Sequence, residues 1–598
     1  MRMRTRLKIP AAKPVTRFPT RPPVNEVRCR FAPSPTGSLH LGGLRTALFN
    51  YMLAKSTNGS FILRIDDTDR TRLVEGAEAQ IKKNLRWAGV HWTEGHGKPS
   101  VVGPFRQSER MPIYQAYVEK LVKTGHAYLD FRPPSAESES TPGQRLEQYN
   151  QPSTEEAQNL IDQGHRYVVR FKLPTEKIEF DDVVFGSMSV DPKDLGNDPV
   201  LIKSDGWPTY HLASVVDDIE MGITHVLRGE EWLPSAGKHL ALFQALGCIP
   251  PAFAHLPLLI NPDGSKLSKR SGDTHVQSYI DRGYEPEALI NFIGLMGYNH
   301  KNAVEGETQE GAQKFGESVS EVMTIEDLIE GYDSQRIARS RATPFFPKLD
   351  FLNRQHLRQA LSEDAQGYST LLFRRHEPTQ TQRLRRKRYD ILFAAQRDLE
   401  AVYGQQPMTT LQGTKKVVHL VKEQLNTTKD IVQEARFLFV QPDWSSSNAQ
   451  KALRGTLTRK DYPQGVDIPT VMKTALNAYV AYLRTRSDHA GKSGQGQASH
   501  DPLTNILPKL AGEIQPNSEN DPKAAFSPKA LQLLARKTLR WAMTGGEPGP
   551  AVSDVIDVMP KEMLIKRLEN ARDSLDDAVT AVRTQPAGKP NPVKSKRN

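Results

Sequence analysis

The pattern of hydrophobic and polar positions first becomes regular near residue 27. Apolar and charged side chains alternate over 27–31, which predicts a β-strand. A turn-rich loop follows over 33–38, and apolar residues then recur at helical spacing over 41–52. The apolar run 61–65 predicts a second strand. A strand, loop, helix and strand in this order predict an open parallel α/β unit.

The pattern predicts further strands and helices up to residue 330, after which helical, charged sequence dominates. Strands are predicted at 167–173, 224–227 and 257–260. Between the last two, Leu240, Phe243 and Leu246 share one face of a predicted helix. Asn-Pro-Asp-Gly at 261–264 predicts a turn.

Length, composition and charge exclude several classes of protein. The 598 residues include 2 cysteines, which rules out a disulfide framework and a cysteine zinc cluster. No apolar run comes near the roughly 18 residues of a membrane span. The net charge is +11, but residues 1–25 hold seven basic residues and 584–598 hold four, with no acid in either segment. The remainder is formally neutral, so any nucleic-acid surface must be a local patch.

The N-terminal segment 1–25 is rich in arginine and free of acids, as mitochondrial transit peptides are. It lacks serine, and its prolines confine any amphipathic helix to the first nine or so residues. A disordered basic tail is the alternative. We expect a targeting segment for the mitochondrial matrix, and we expect residues 584–598 to form a basic disordered tail.

The first candidate chemical site is the segment 35–43, which places His40, Gly42 and Gly43 at the first turn of the predicted helix. A helix N-terminus offers free N–H donors and a positive dipole end, which suit a phosphate. Glycine lets a ligand approach the backbone closely, and a histidine there can hydrogen-bond a phosphate oxygen. The alternative is an ordinary strand–helix turn with a capping histidine.

The second candidate site is the basic pentapeptide Lys266-Leu267-Ser268-Lys269-Arg270, directly after the turn at 261–264. Three cations and a hydroxyl on one loop can clamp a polyphosphate during phosphoryl-type displacement. Basic pentapeptides are common, and the alternative is a solvated loop.

Taken together and in this order, the two motifs resemble the "HIGH" and "KMSKS" signatures of class I aminoacyl-tRNA synthetases, with Gly43 at the fourth "HIGH" position. Further segments resemble the glutamyl-tRNA synthetases of the bacterial and organellar type. These segments are 30–37, 63–70, 204–210, 215–218, 224–233 and 283–289. The resemblance continues more thinly at 349–353 and 540–545.

This resemblance implies an α/β fold with a class I Rossmann-type nucleotide-binding catalytic domain, an inserted acceptor-binding subdomain and a mostly α-helical anticodon-binding region. The polar stretch 131–156 interrupts the pattern as an insertion does, and the Gly-, Ser-, Gln- and His-rich stretch 486–502 is typical of a linker or long loop. The expected division is 26–110 and 201–334 for the two catalytic halves (the second with a stem-contact region), 111–200 for the inserted subdomain, 335–485 and 503–583 for the anticodon-binding region, and 486–502 for the linker.

Selecting glutamate requires cations for its side-chain carboxylate and an acid for its ammonium group. Arg30 and Arg228 are the cation candidates, and the resemblance assigns the ammonium to Asp66. The family usually has Glu at position 66, so we expect a longer or water-mediated contact, and Ser214 stands where Asn is common. The full set of glutamate-binding residues implied by the resemblance is Arg30, Phe31, Ala32, Ser34, Asp66, Tyr210, Ser214 and Arg228.

For ATP, the resemblance implies His40, Gly42, Gly43, Glu231, Lys266, Leu267, Ser268, Lys269 and Arg270, with His40, Lys266 and Lys269 as the catalytic residues. It also implies Mg²⁺ and no protein nucleophile. Bacterial relatives can carry zinc in the insertion after Tyr128, but 128–134 contains no cysteine, so we predict no zinc and no other metal site. We interpret His91, His96 and His126 as unconnected surface histidines rather than metal ligands.

The predicted RNA surface lies in 336–388, which holds thirteen basic residues against four acids. The predicted tRNA-binding residues are Arg383, Arg385, Arg386, Lys387 and Arg388. Phe345, Phe346 and Phe373 lie nearby in the sequence and can stack bases. The alternative is a solvated helix face.

Three other functions fit the sequence less well than glutamate ligation to tRNA(Glu). Glutaminyl-tRNA synthetases usually read "PEPNG" and "DDTN" where this chain has 33–37 and 66–69. A short tRNA-modifying paralogue lacks an anticodon region, and an inactive scaffold protein would show losses at His40, Lys266, Lys269 or Arg228, all of which are intact. Charging of tRNA(Gln) as well stays open, and we expect a monomer without membrane attachment.

Overall fold

The computed structural model describes residues 26–98, 100, 102–132, 151–265, 267, 275–299, 321–362, 379–463, 465–485, 503–514 and 526–584, with the backbone alone at 154, 379–386 and 503–505. The expected targeting segment 1–25, the linker 486–502 and nearly all of the basic tail therefore lie outside the described residues. The chain divides into two compact units, Met1–His356 and Leu357–Asn598.

The described strands all belong to the first unit. They are β1 (Arg28–Phe31), β2 (Ser60–Leu63), β3 (Glu94–Gly95), β4 (Ala127–Asp130), β5 (Val168–Phe171), β6 (Ile178–Asp182), β7 (Gly186–Val190), β8 (Val200–Ile202), β9 (His225–Gly229) and β10 (Ala252–Leu256).

Ten α-helices begin in the described parts of this unit, and the division between the units falls within the last of them. They are α1 (Leu41–Ser56), α2 (Ala77–Trp87), α3 (Met111–Lys123), α4 (Thr154–Asp162), α5 (Tyr210–Glu220), α6 (Ala236–Ala245), α7 (Val276–Asp281), α8 (Pro286–Leu295), α9 (Ile325–Glu330) and α10 (Phe346–Leu361).

Seven strands form one sheet in the order β3-β2-β1-β9-β10-β6-β7. All neighbours are parallel except β6 and β7, which form an antiparallel edge. The pairing of β1 with β2 across α1 confirms the predicted parallel α/β unit. The strands β6 and β7 fall within the range 111–200 expected for the insertion, so the large sheet extends into that range. The antiparallel strands β4, β5 and β8 form a second sheet.

Both faces of the large sheet are buried. Phe61 and Leu63 belong to one hydrophobic cluster, whereas Ile62 between them belongs to another. Because successive strand residues point to opposite faces, the two clusters cover opposite sides of the sheet. Helices α1 and α8 pack in the first cluster, and α5 and α6 pack in the second. Continuous apolar strands of this kind are typical of parallel sheets covered on both sides.

Helix α1 has the predicted apolar face, because Leu41, Leu44, Leu48 and Met52 are all buried. The helix ends at Ser56, and Asn58 then adopts a left-handed conformation with φ of 53°. A Cβ at the following glycine would lie 2.1 Å from the carbonyl oxygen of Val27, so only glycine fits at that turn.

One predicted strand is wrong. The strand expected at 257–260 is absent, and β10 instead covers Ala252–Leu256. Pro257 has no N–H to donate and ends the strand. Leu259 and Ala342 form an isolated parallel bridge, in which the Ile260 N–H donates to the Ala342 carbonyl at 3.0 Å. Ala252–Leu256 was not recognised because its alanines and a histidine do not give a strand-like apolar run. The predicted turn at 261–264 is confirmed, with the Gly264 N–H bonded to the Asn261 carbonyl.

The described parts of the second unit contain helices and no β-strand, as predicted for the sequence after residue 330. Its helices are α11 (Thr379–Tyr403), α12 (Leu411–Val421), α13 (Ile431–Glu434), α14 (Arg436–Phe439), α15 (Ser447–Leu457), α16 (Ile468–Thr485), α17 (Leu503–Glu513), α18 (Pro528–Thr544), α19 (Val552–Val558), α20 (Lys561–Asp573) and α21 (Leu575–Thr584).

A single hydrophobic cluster fills this unit. Arg567 of α20 lies inside it and donates hydrogen bonds to the carbonyl oxygens of Phe437, Leu438 and Met543, joining three segments. No helix in the described parts of the chain is long and apolar enough to cross a membrane.

Candidate active site

Charged side chains gather at the carboxyl ends of the central parallel strands. Arg30 lies in β1, Arg64 directly follows β2, Arg228 lies in β9, His255 lies in β10 and Asp182 ends β6. In open α/β sheets, ligands bind outside the carboxyl ends of the strands. The sheet order therefore brings together residues that are distant in the sequence.

A buried ion-pair network links β1 and β2 to helix α5. Oδ1 of Asp218 accepts from Nε of Arg30 at 3.0 Å and from Nη1 of Arg64 at 2.7 Å. Arg64 also donates to both carboxylate oxygens of Asp66, at 2.8 and 3.3 Å. The predicted ammonium ligand Asp66 thus lies beside the predicted carboxylate ligand Arg30, held in place by Arg64.

The network continues to Asp217, which is fully buried. Its carboxylate accepts from Nε of Arg110 at 2.6 Å, from the Gln107 amide at 2.9 Å and from the Tyr114 hydroxyl at 3.0 Å. Three arginines (Arg30, Arg64 and Arg110) thus face three aspartates (Asp66, Asp217 and Asp218), so the formal charges of this network balance. Balanced, hydrogen-bonded pairs are the form in which buried charges are tolerated.

The carboxyl groups of the network differ in their pKa values. Burial raises the pKa of Asp66 despite the opposing effect of Arg64, and it raises the pKa of Asp217 to about 6. Burial also disfavours ionised Asp218, but Arg30 and Arg64 outweigh it and lower the pKa of that carboxyl. Asp218 is therefore the anion that holds the two arginines together.

Arg228 has a different environment, because all of its hydrogen-bond partners among the described residues are neutral. Nε donates to Nε2 of His255 at 3.0 Å, and Nη1 donates to Nδ1 of His239 at 3.0 Å and to the Tyr210 hydroxyl at 3.3 Å. Nη2 donates to the Trp232 carbonyl at 3.3 Å. Among the described residues, no carboxylate pairs with this guanidinium, which is 5% exposed. A buried cation with neutral partners is suited to receive an anionic ligand.

The remaining predicted glutamate residues surround this edge of the sheet. Tyr210 begins α5 and packs on Trp232, with ring centroids 4.2 Å apart. Ser214 is buried one turn further along α5, and its hydroxyl has no hydrogen-bond partner among the described residues. Phe31 and Ala32 follow Arg30 at the end of β1, and Ser34 is exposed in the next loop.

The first predicted ATP motif forms the N-terminus of α1. His40 is the N-cap residue, and its Nδ1 accepts from the Gly43 N–H at 3.0 Å, which places the ring proton on Nε2. The capping alternative is therefore realised, and it leaves the proposed phosphate role open. A Cβ at Gly42 would lie 3.2 Å from the His40 ring, and one at Gly43 would lie 2.9 Å from Leu39. Gly42 thus leaves room for the capping ring, and Gly43 leaves room for the Leu39 side chain.

Glu231 lies in the 3₁₀ segment Glu230–Ser235 after β9, with its carboxylate over Gly229. In the second predicted ATP motif, Leu267 is described, and its N–H donates to the Leu259 carbonyl at 3.1 Å. Lys266, Ser268, Lys269 and Arg270 lie outside the described residues, so their predicted roles stay predictions.

The predicted tRNA-binding residues lie in the first half of α11. The side chains of Arg383, Arg385 and Arg386 lie outside the described parts, whereas Lys387 and Arg388 are half-buried. Phe345 is 60% exposed, but Phe346 packs against Phe292 and the first unit's core, which makes it unsuitable for stacking a base.

The three histidines predicted to be unconnected surface residues have different environments in the structure. Nδ1 of His96 lies 2.9 Å from Nζ of Lys82, and Nδ1 of His126 lies 2.9 Å from the Thr124 hydroxyl. His91 is exposed, and partial desolvation nevertheless lowers its pKa. Within the described ranges, no three His, Cys, Asp or Glu side chains are placed to hold a metal ion.

Sequence reasoning missed most of the partners in this site. Arg64, Asp217 and Asp218 lie inside recognised motifs but were given no role. Their signal is two adjacent acids within the otherwise apolar core face of α5. His239, His255 and Asp182 carried no motif, and only the order of the strands brings His255 and Asp182 to Arg228.

Comparison with known proteins agrees with this geometry. Residues 26–330 match the family model for the catalytic domain of class I tRNA synthetases of the E and Q type. The mitochondrial glutamate–tRNA ligase of Schizosaccharomyces pombe is 35% identical over 555 residues, which cover 92% of each chain. The glutamate–tRNA ligase of Chloroherpeton thalassium is 34% identical over 92% of this chain and 98% of its own.

The chain belongs to the glutamate–tRNA ligases of class I. A crystal structure of a glutamate tRNA ligase from Elizabethkingia meningosepticum in complex with its amino acid matches 92% of this chain and 100% of its own, with 30% identity and a TM-score of 0.71. The predicted family and fold class are thereby confirmed.

Proposed function

We propose that this protein uses ATP to activate L-glutamate as glutamyl-adenylate and then transfers the glutamyl group to tRNA(Glu) in the mitochondrial matrix. The observation that carries the proposal is Arg228, a buried guanidinium whose described partners are all neutral. The family membership supports it, and so does the name of the Schizosaccharomyces pombe relative.

In this proposal, Arg228 binds the side-chain carboxylate of glutamate, and Arg30 adds positive charge beside it. Ser34, Tyr210 and Ser214 supply polar contacts next to Phe31 and Ala32, and Asp66 receives the ammonium group. Asp66 is already bonded to Arg64, so its free lone pairs must serve the ligand. The buried hydroxyl of Ser214 gains the partner that it lacks among the described residues.

The α-carboxylate of glutamate then attacks the α-phosphorus of ATP, a bond from carboxylate oxygen to phosphorus forms, and the bond to pyrophosphate breaks. His40, Gly42, Gly43 and Glu231 position the nucleotide, and the loop Lys266–Arg270 stabilises the charge on the departing pyrophosphate. The terminal ribose hydroxyl of tRNA next attacks the glutamyl carbonyl and releases AMP. Catalysis of this kind rests on positioning and charge stabilisation.

Mg²⁺ is expected to arrive on the phosphates of ATP, as is usual for this ion. The described residues hold no cluster of three metal-ligating side chains that could cage it.

The parts of the chain have the roles expected from the resemblance. We assign acceptor binding to the range 111–200 and anticodon binding to 335–485 and 503–583, with α11 contacting tRNA phosphates. The protein acts as a monomer.

The acid-free segment 1–25 serves as the matrix address, which an import assay tests directly: a reporter carrying 1–25 should enter isolated mitochondria, and one with its arginines changed to glutamine should not.

Aminoacylation of purified tRNA(Glu) and tRNA(Gln) with labelled glutamate and glutamine tests the function. We expect glutamate on tRNA(Glu) and no glutamine on either tRNA. Glutamate on both tRNAs would identify the alternative, an enzyme that also glutamylates tRNA(Gln). Absence of glutamate from both, with the purified protein folded, would overturn the proposal.

A further inference from the structure

Three neighbouring strands of the sheet place Arg228, His255 and Asp182 side by side. Arg228 and His255 are direct partners in the parallel pairing of β9 and β10, and β6 lies on the other side of β10. Nε of Arg228 donates to Nε2 of His255 at 3.0 Å, and Nδ1 of His255 lies 2.6 Å from Oδ2 of Asp182. The His255 side chain is fully buried.

The direction of each hydrogen bond between Arg228, His255 and Asp182 is determined. A guanidinium has donors only, so Nε2 of His255 must accept. The imidazole proton must then lie on Nδ1, where it is donated to Asp182. A carboxylate that fixes the tautomer of a histidine, which in turn orients another group, is a well-established physical device.

Asp182 is itself held rigidly. Its Oδ1 accepts from the N–H groups of Val184 and Phe185, both at 3.0 Å, and from the His255 N–H at 3.3 Å. Only Oδ2 therefore faces the imidazole ring. The backbone thus fixes the Asp182 carboxylate, the carboxylate orients the His255 ring, and the ring orients the Arg228 guanidinium.

The neutral imidazole also has an electrostatic consequence. Arg30 and Arg64 meet the carboxylate of Asp218 directly, so their charge is largely compensated. Arg228 meets a ring instead, and the carboxylate of Asp182 stands one imidazole further away. The guanidinium is oriented without being neutralised, which preserves its attraction for an incoming carboxylate.

We infer that Asp182 and His255 are positioning residues that orient Arg228 for the side-chain carboxylate of glutamate and thereby help to distinguish glutamate from glutamine. This inference rests on the proposed role of Arg228. His239 supports the same guanidinium from the other side, with its Nδ1 3.0 Å from Nη1.

Three substitutions by amide side chains test the inference. In Asp182→Asn, the N–H groups of Val184 and Phe185 keep the amide oxygen, so the amide NH₂ faces Nδ1 of His255 and moves the ring proton to Nε2. That proton then opposes the Nε–H of Arg228. In His255→Asn, a donor toward Asp182 remains but the acceptor for Arg228 is lost, whereas in His255→Gln the amide oxygen reaches the place of Nε2.

The measurement is glutamate-dependent and glutamine-dependent pyrophosphate exchange in the full-length enzyme, with tRNA present. For Asp182→Asn and His255→Asn, we expect KM for glutamate to rise about tenfold or more and the preference over glutamine to fall, while KM for ATP stays unchanged. For His255→Gln we expect KM for glutamate within about threefold of the wild-type value. Thermal melts identify any variant that is unfolded.

A purely structural role would give equal effects for His255→Asn and His255→Gln, or parallel changes in both KM values, and would overturn the inference. So would an unchanged KM for glutamate in Asp182→Asn. Arg228→Lys distinguishes a failure of the proposed role of Arg228 from a failure of the positioning inference. If this change leaves KM for glutamate unchanged, the proposed role of Arg228 fails. If it raises KM for glutamate and the Asp182 and His255 variants do not, only the positioning inference fails.

Discussion

Arg64 and Asp218 form a buried ion pair, with Nη1 and Oδ1 2.7 Å apart and side-chain exposures of 0% and 4%. The pair joins the end of β2 to helix α5, and the same carboxylate oxygen also holds Arg30 of β1. One aspartate thus anchors two arginines in a place that water does not reach.

Replacing Asp218 by asparagine should strongly destabilise the first unit. The change leaves two buried guanidinium groups without their common anion, and breaking a buried pair in this way costs about 3–5 kcal/mol. Thermal unfolding followed by circular dichroism measures the loss. The matched control is Asp205→Asn, because Asp205 is exposed and its nearest cation, Lys203, lies 3.8 Å away. Equal melting temperatures for the two variants would contradict the anchoring role.

Arg567→Met should destabilise the second unit. The arginine is the donor for the carbonyl oxygens of Phe437, Leu438 and Met543, and their loss leaves buried acceptors unpaired, at a total cost of about 2–4 kcal/mol. Arg572→Met on the same helix is the control, since Arg572 is a third exposed and pairs with Asp573. Urea unfolding monitored by tryptophan fluorescence compares them, and similar midpoints would show that these three bonds contribute little.

The free energy of unfolding should decrease as the pH is lowered, partly because of His211. Burial, with smaller effects of Lys238 and Arg228, lowers the pKa of His211 to about 4. Between pH 6.5 and 4 the unfolded chain therefore binds a proton that the folded chain does not, so acidification favours unfolding. From pH 7 to pH 5 the wild type should lose about 1–2 kcal/mol more than His211→Gln.

Melting temperatures across this pH range provide the test of the His211 prediction. His165→Gln, a change at an exposed histidine, is the matched control. A His211→Gln slope equal to that of the wild type would show that the buried imidazole is not the group that titrates.

Lys269→Ala should leave glutamate binding nearly intact and collapse adenylate formation, because the lysine acts on the charge that builds up as pyrophosphate departs. Pyrophosphate exchange reports the chemical step, and calorimetric titration reports glutamate binding. Lys123→Ala removes an exposed lysine, 78% accessible, and should change neither measurement. Normal exchange by Lys269→Ala would exclude the assigned role.

Changing Arg383, Arg385 and Arg386 together to alanine should weaken tRNA binding and reduce its dependence on salt. Each lost phosphate contact lowers the slope of log K against log salt by about 0.7–0.9, so the triple variant should lose roughly 2. A control variant removes three exposed lysines of the second unit, Lys416, Lys451 and Lys460. If both triple variants bind tRNA with the same slope, the contact does not lie in this part of α11.

The sequence predicted elements more reliably than it predicted partners. Helix α1 and strands β1 and β2 have strong local periodicity, and the structure confirms them within a few residues. β10 was misplaced because Ala252–Leu256 is defined by its neighbours in the sheet rather than by its own pattern. Such a strand is fixed by tertiary contacts that no short window of sequence contains.

The same limit applies to the site. Arg30 and Arg228 could be nominated from charge and motif, since glutamate requires cations. Asp182 could not, because it lies 73 residues before His255 in the chain and reaches it only through the order of β6, β10 and β9. Likewise, the pairing of Arg64 with Asp218 depends on how α5 packs against the sheet.

The geometry of this site depends on the register in which β9 pairs with β10, as well as on the identity of the residues. Successive positions of a strand face opposite sides of the sheet, so inserting one residue ahead of His255 within β10 would turn the imidazole away from Arg228. Such a chain would keep every residue of the motifs, but His255 would no longer orient the Arg228 guanidinium. Inactive descendants of this scaffold can therefore arise by a change of spacing alone, and intact motifs do not by themselves certify a working enzyme.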